Sequence, residues 1–291
     1  MSASQDSLRE PATGNPTGNP TGNPTDTALK ARHRAMWASG DYPAVAEELI
    51  PELGQALVDA VRPRSGQRVL DVAAGSGNAA VPAALAGADV VASDLTPELL
   101  DAGRAAAESD GVTLSWEVGD AEQLPYPDAS FDAVLSCVGV MFAPQHRAAA
   151  DELVRVCRAG GTIGLASWTP GGFIGQMFAT MKPYAPPPPP GGQPPPLWGD
   201  EAHVRDLLGD RVADVEAVRR EVVIDRFATP AEFRQYFKDR YGPTIAIYRS
   251  LAETPDRAAE LDDALDALAA RSADADGTMR WEYLLLTARR T

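Results

Sequence analysis

The stretch VLDVAAGSGNAA, Val69–Ala80, decides how the rest of this 291-residue chain is read. An apolar strand runs into two closely spaced glycines, Gly75 and Gly77, and a helix is expected from Ser76 onward. Glycine lets the backbone turn sharply and approach a ligand closely, and N–H groups left free at a helix start favour polar or anionic ligand groups. The core GSGNAA fits the Gly-x-Gly-x-x-(Gly/Ala) fingerprint of dinucleotide sites. Such turns also occur as plain tight turns, so the neighbouring residues must choose the ligand.

Two carboxylates downstream bear on that choice. Asp94 ends the strand ADVVASD (88–94), 17 residues past Gly77. A carboxylate there can accept both hydrogen bonds of a ribose diol. It can equally complement the dipole of the helix that opens with Thr96 as N-cap and Pro97 at the first helical position. Asp120 ends the strand TLSWEVGD (113–120), where it and the N–H of Ala121 can read an adenine amino group. The Asp, Pro and Ser residues that follow also suit an ordinary turn.

Around these residues strands and helices alternate. RVLDVAA (68–74), FDAVLSCVGV (131–140) and TIGLASW (162–168) read as further strands, and HRAAADELVRVCRAGG (146–161) as a helix ended by Gly160 and Gly161. This pattern predicts βαβ units with right-handed crossovers and a parallel sheet covered on both faces. Upstream, Val45, Leu49, Leu53, Leu57 and Val61 form one helical stripe, broken by Pro51 into two helices. Downstream of Trp168 the prolines at 186–190 and 194–196 read as rigid loop. Helices near 200–209, 229–250 and 256–272 and strands at 215–225 and 280–289 complete the chain. Residues 1–27, with TGNP three times over Thr13–Pro24, are expected to be a disordered tail.

Composition limits the partners. The net charge of −15, from 26 basic and 41 acidic residues, disfavours nucleic acid and acidic membrane surfaces and leaves a small-molecule partner. No apolar run is long enough to span a membrane, and the first residues lack the pattern of a secretory signal, so a cytoplasmic location is expected. Cys137 and Cys157 cannot build a disulfide framework or a cysteine-rich metal site, and no metal is expected.

Four strings in order, LDVAAGSGN, ASDLTPELL, GDAEQLPYPDASFDAVLS and RVCRAGGTIGLASW, resemble the class I S-adenosylmethionine-dependent methyltransferases. The likeness is to the small-molecule branch that includes the ubiquinone and menaquinone methyltransferases, and it covers Arg68–Trp168. It implies an α/β, Rossmann-like fold. Its seven-stranded, mostly parallel sheet has order 3-2-1-4-5-7-6, with the last strand antiparallel, helices on both faces and a helical cap. It implies S-adenosylmethionine as cofactor. Asp71 would act near the cofactor's amino group, Gly75 and Gly77 along its methionine part with Ala73 beside them, and Cys137 on the same side. Asp94, with Leu95, would hold the ribose, and Asp120 and Ala121 would face adenine. Ala74 departs from the more polar or glycine residue common in the family. The implied layout divides the chain into cap helices (28–62), a cofactor-binding core (63–168), a Pro-rich lid (169–212) and C-terminal strands (213–291) with a helical insertion (227–275).

Methyl transfer is an in-line displacement in which alignment and desolvation do most of the work, and a base is required only if the nucleophile keeps its proton until late. Among His33, His146 and His203, His146 is the best placed acid or base, although it also suits a solvated first helical turn. Thirteen of the nineteen aromatic residues lie at or after Trp168. Trp37, Tyr42, Met141, Trp168, Phe173 and Tyr236 are the expected acceptor pocket, which predicts a small apolar or aromatic acceptor. Phe233, Phe237 and Tyr241 recur at a spacing that ordinary helix packing also explains. Two alternatives are an NAD-type oxidoreductase and a protein that holds a nucleoside cofactor without catalysis.

Overall fold

The computed structural model describes residues 24–291, with side chains from Thr27 onward. Most of the expected tail therefore lies outside the described residues, but helix α1 (Pro24–Trp37) begins inside it. Helices α2 (Tyr42–Leu49) and α3 (Pro51–Val61) follow, separated by Ile50 in front of Pro51 as the proline demands. The core then alternates: β1 (Arg68–Val72), α4 (Ala80–Leu85), β2 (Asp89–Asp94), α5 (Pro97–Ser109), β3 (Ser115–Val118), β4 (Phe131–Cys137), α6 (His146–Val156) and β5 (Cys157–Trp168). Beyond it come α7 (Phe173–Met181), α8 (Glu201–Leu208), β6 (Val212–Ile224), α9 (Pro230–Arg240), α10 (Gly242–Ser250), α11 (Pro255–Ser272) and β7 (Met279–Arg290).

The strands form one seven-stranded sheet of order β3-β2-β1-β4-β5-β7-β6. The first five are mutually parallel, and β7 inserts antiparallel between β5 and β6. Consecutive residues of β1 and β4 are buried, as in Val69–Val72 and Ala133–Cys137. Successive side chains point to opposite faces of a strand, so both faces of the sheet centre are covered. The order reverses between β1 and β4, which places a crevice beyond the C-terminal ends of these strands and β2.

Helix α3 fixes the floor of that crevice. Gly164 of β5 admits it, since a Cβ there would lie 2.3 Å from Val61 Cγ2. At its other end Gly54 rests on the loop after β1, where a Cβ would lie 1.7 Å from the carbonyl oxygen of Asn78. Across the loop, Trp116 of β3 fills the space left by Gly77 and Gly103, whose added Cβ atoms would each lie 2.6 Å from its ring.

Several boundaries differ from those expected, each for a local reason. Helix α4 opens at Ala80 rather than Ser76, because Ala74–Gly77 closes its own turn through Gly77 N–H and Ala74 C=O at 2.9 Å. Strand β4 ends at Cys137, because Val138 takes a left-handed conformation with φ 45°. Helix α6 stops at Val156, since Cys157 already pairs with Phe131 and Gly160 serves a sheet irregularity instead of a helix end. The single helix expected over 229–250 is split at Tyr241, whose extended backbone precedes the Gly242–Pro243 start of α10. Because Gly54 touches rigid backbone, Gly54→Ala should destabilise the protein by about 1–3 kcal/mol, read from urea unfolding at unchanged m-value.

Candidate functional site

The site is built by the chain turning sharply after three parallel strands. After β1 the backbone passes through Ala73 and Gly75 at φ 54° and 57°. After β4 it passes through Val138 at φ 45°. Ala73 and Val138 are non-glycine residues in the left-handed region, which costs of order 1–3 kcal/mol each and is commonest where a ligand is held. The two turns touch: a Cβ on Gly139 would lie 2.1 Å from the carbonyl oxygen of Ala73. A Cβ on Gly75 would lie 3.4 Å from the ring of Tyr42.

Asp94 ties the turns together. Its Oδ2 accepts the N–H of Gly75 and its Oδ1 the N–H of Thr96, both at 2.8 Å. The contact to Thr96 is the helix-start role expected for this residue. Burial pushes its pKa up, against the N–H groups of Thr96 and Gly75 that favour the charged form.

These turns floor a cleft of about 660 Å³, its open mouth included. Ala73, Gly75, Asp94, Leu95, Asp120 and Ala121 line it, as expected from sequence. Its far wall is Val138, Gly139 and Phe142–Pro144. Its roof is α1, through Lys30, His33 and Trp37, together with Tyr42 of α2. Lys30 reaches down to Asp120 Oδ1 at 3.0 Å and to Glu122 Oε2. Burial, helped by Lys30 and Arg32, lowers the pKa of His33.

Behind the cleft lies a second space, an apolar chamber of about 340 Å³ with its open mouth included and about 20 Å³ of free interior. Tyr42, Val138 and Phe142 face both spaces. Val45, Ile50, Trp168, Ile174, Phe237, Tyr241 and Trp281 complete the chamber. Trp37 caps this junction edge-on, with ring centroids 4.7 Å from Phe142, 5.4 Å from Tyr42 and 5.7 Å from Tyr241. Among the described residues, no lining side chain carries a formal charge. Its polar groups are the hydroxyls of Tyr42 and Tyr241 and the indole N–H groups of Trp168 and Trp281; burial raises the pKa of both tyrosines, with Cys137, Asp94 and Asp71 adding to the shift at Tyr42.

Asp71 is buried beneath the first turn, 1% exposed, and neither carboxylate oxygen has a hydrogen-bond partner. Burial pushes its pKa up to about 8. The nearby N–H groups of Ala80 and Ala79 oppose that without reaching hydrogen-bond geometry, and the Asp94 carboxylate adds to it. An unpartnered buried carboxylate is costly and marks a place where a cation or donor belongs.

Other expected site residues fall elsewhere. His146 is fully buried, its Nδ1 3.0 Å from His203 Nε2 and its ring against Trp198, so it reaches neither cleft nor chamber. Burial and His203 hold its pKa down to about 4. The proposed acid or base role for His146 is therefore corrected: Pro144 and Gln145 turn the start of α6 away from the cleft. Gly77 faces Trp116 instead of the cleft, and Cys137 is buried between Asp71 and Tyr42 without lining it. Met141 is core, Phe173 stacks on Trp281 at 5.3 Å, and the Tyr236 hydroxyl donates to the carbonyl of Ala44. Trp37, Tyr42 and Trp168 do line the two spaces. Lys30, Phe142, Phe237 and Tyr241 were not among the expected site residues. The KARHR cluster at 30–34 was a visible signal for Lys30.

A mostly parallel sheet with a switch-point crevice, acidic residues within β1, at the end of β2 and after β3, and an adjoining apolar chamber defines a nucleoside-cofactor enzyme of the α/β class. Residues 70–165 match the family model described as a methyltransferase domain. An uncharacterized protein of Mycobacterium tuberculosis is 52% identical over 263 residues, 90% of this chain and 96% of its own. The demethylmenaquinone methyltransferase of Clavibacter sepedonicus is 40% identical over 108 residues, 37% of this chain and 44% of its own. In fold, the YcgJ protein of Bacillus subtilis superposes with a TM-score of 0.56 at 18% identity, over 82% of this chain and 98% of its own. The [4+2]-cyclase SpnF superposes with a TM-score of 0.52 at 21% identity, over 82% of this chain and 81% of its own. The chain carries a methyltransferase domain over residues 70–165, in the fold of the class I S-adenosylmethionine-dependent methyltransferases. The oxidoreductase and binding-only alternatives are not favoured.

The residues present fit that cofactor. Asp71 is an orphaned carboxylate suited to an ammonium, the close approach at Gly75 is open, and Asp94 retains lone pairs for a diol. Asp71 also yields a pH test on the ligand-free protein. Its folded pKa is raised, so its contribution to stability is full below the unfolded value near 3.8 and is lost as the pH rises to about 8. The stability of Asp71→Asn relative to wild type, from urea unfolding at several pH values, should therefore climb between these limits, by at most about 1.4 kcal/mol per pH unit.

Proposed function

We propose that the chain transfers a methyl group from S-adenosylmethionine to a small apolar or aromatic acceptor held in the chamber. One observation carries this reading: the chamber adjoins the cleft through Tyr42, Val138 and Phe142 and presents no charged side chain. In this reading Asp71 acts on the cofactor's ammonium from beneath the turn, through water or neighbouring backbone, while Asp94 meets its ribose diol and Asp120 with Ala121 its adenine. The chain's net charge of −15 supports a small molecule over a nucleic acid as the acceptor.

When bound, S-adenosylmethionine supplies a methyl group already activated on a sulfonium sulfur. The protein's share is then alignment and exclusion of water, of which alignment can contribute roughly 7–11 kcal/mol. The shared wall of Tyr42, Val138 and Phe142 sets the direction of approach. Tyr42 and Tyr241 keep their protons because burial raises their pKa, so each acts as a hydrogen-bond donor and not as a base. Among the described residues the chamber wall holds no carboxylate, histidine or lysine, which suits an acceptor whose nucleophile needs no side-chain base there.

Three measurements test this. S-adenosylhomocysteine should raise the melting temperature and NADH should leave it unchanged. Asp94→Ala should weaken S-adenosylhomocysteine binding at least several-fold by calorimetry, because a buried charge-assisted contact is lost; unchanged affinity would refute the ribose role. A methyl-transfer screen should find turnover among apolar and aromatic acceptors, and turnover confined to strongly charged, hydrophilic ones would overturn the acceptor class.

A further inference from the structure

We infer that Lys30 is a positioning residue for the cofactor: from the roof helix it holds the Asp120 carboxylate in register for the adenine amino group. The inference rests on the cofactor reading of the cleft given above, with adenine at Asp120.

Lys30 is well sheltered, its side chain 12% exposed, and it meets two carboxylates at once. Asp120 Oδ1 accepts from Lys30 Nζ at 3.0 Å and from the N–H of Glu122 at 2.9 Å. That double hold fixes the carboxylate plane and leaves Oδ2 for a ligand donor. Glu122, 8% exposed, accepts Lys30 on Oε2 and the N–H of Gln145 on Oε1 at 2.7 Å. Gln145 follows Ala143 and Pro144, which line the far wall. Lys30 thus joins the roof, the turn that reads adenine and the wall opposite. Burial alone would lower the lysine pKa, but Glu122 and Asp120 together raise it, so the ammonium stays charged.

Removing one partner from such a sheltered group costs more than removing an exposed ion pair, because two neighbouring carboxylates lose their compensation. Arg34–Glu98, also on α1, is the contrast, with side chains 47% and 52% exposed. Pairs of that kind contribute little.

The test compares S-adenosylhomocysteine with S-inosylhomocysteine, which carries an oxo group in place of the adenine amino group, by isothermal titration calorimetry. Wild type should prefer the adenine ligand by about tenfold or more, since a carboxylate attracts the amino group and repels the oxo group. Lys30→Met keeps most of the aliphatic stem without the charge. It should weaken S-adenosylhomocysteine about tenfold and narrow the preference for adenine several-fold. Lys30→Arg should restore most of both, and Arg34→Ala should change neither by more than about twofold. The ratio between the two ligands is read on folded protein, so a general loss of stability does not imitate it.

Lys30→Met binding S-adenosylhomocysteine within about twofold of wild type would overturn the inference. So would an equal loss for both ligands, which marks a plain tie between helices, or a wild type with no preference for adenine. A wild type that binds neither ligand would overturn the cofactor assignment, and this inference with it.

Discussion

The site depends on one carboxylate clamped between two backbone N–H groups. Asp94 ends β2, yet its two oxygens hold Gly75 in the turn after β1 and Thr96 at the start of α5. Three elements that would otherwise diverge at the edge of the sheet are fixed to one another at a single point. The same contact holds Gly75 at φ 57°, a conformation that glycine adopts without strain. A buried, hydrogen-bonded charge of this kind defines geometry more than it adds stability. That suits a cofactor site, where half an ångström of drift in the floor would misalign the reacting atoms.

Around this clamp the molecule separates two environments. The cleft carries acidic groups and their partners: Asp94, Asp120 with Lys30, and Asp71 below. The chamber behind it is ringed by aromatic and aliphatic side chains. The partition itself is thin, made by Tyr42, Val138 and Phe142. Val138 holds its place in a conformation unfavourable for a β-branched residue, and the strain is tolerated because Gly139 locks the turn against Ala73.

The cofactor half was legible in the sequence because its information is local. Strand, turn and carboxylate follow one another within a few residues at Asp71–Gly75, Asp94 and Asp120, and each sits where the alternation of strands and helices places it. The acceptor half was legible only as a surplus of aromatic residues, because the spacing of Phe233, Phe237 and Tyr241 does not tell which ring faces a chamber and which faces a neighbouring helix. Phe233 went into the core, while Phe237 and Tyr241 reached the chamber. His146 was misjudged for a related reason. Its distance in sequence from β4 is short, but the turn at Pro144 and Gln145 points its ring away from the cleft, against Trp198 and His203. Lys30 lay too far from the motifs, 90 residues from Asp120, for spacing to connect the two.

The roof joins what the floor separates. Along α1, Lys30 lies over the turn at Asp120 and Trp37 over the junction with the chamber. Seven residues of helix span about 10 Å, so one rigid element reaches from one end of the cleft to the other. It is held at the first point by charge and at the second by three edge-on aromatic contacts. Ionic strength weakens the first kind of contact and leaves the second nearly untouched. Desolvation of the cleft and of the chamber mouth thus shares one helix.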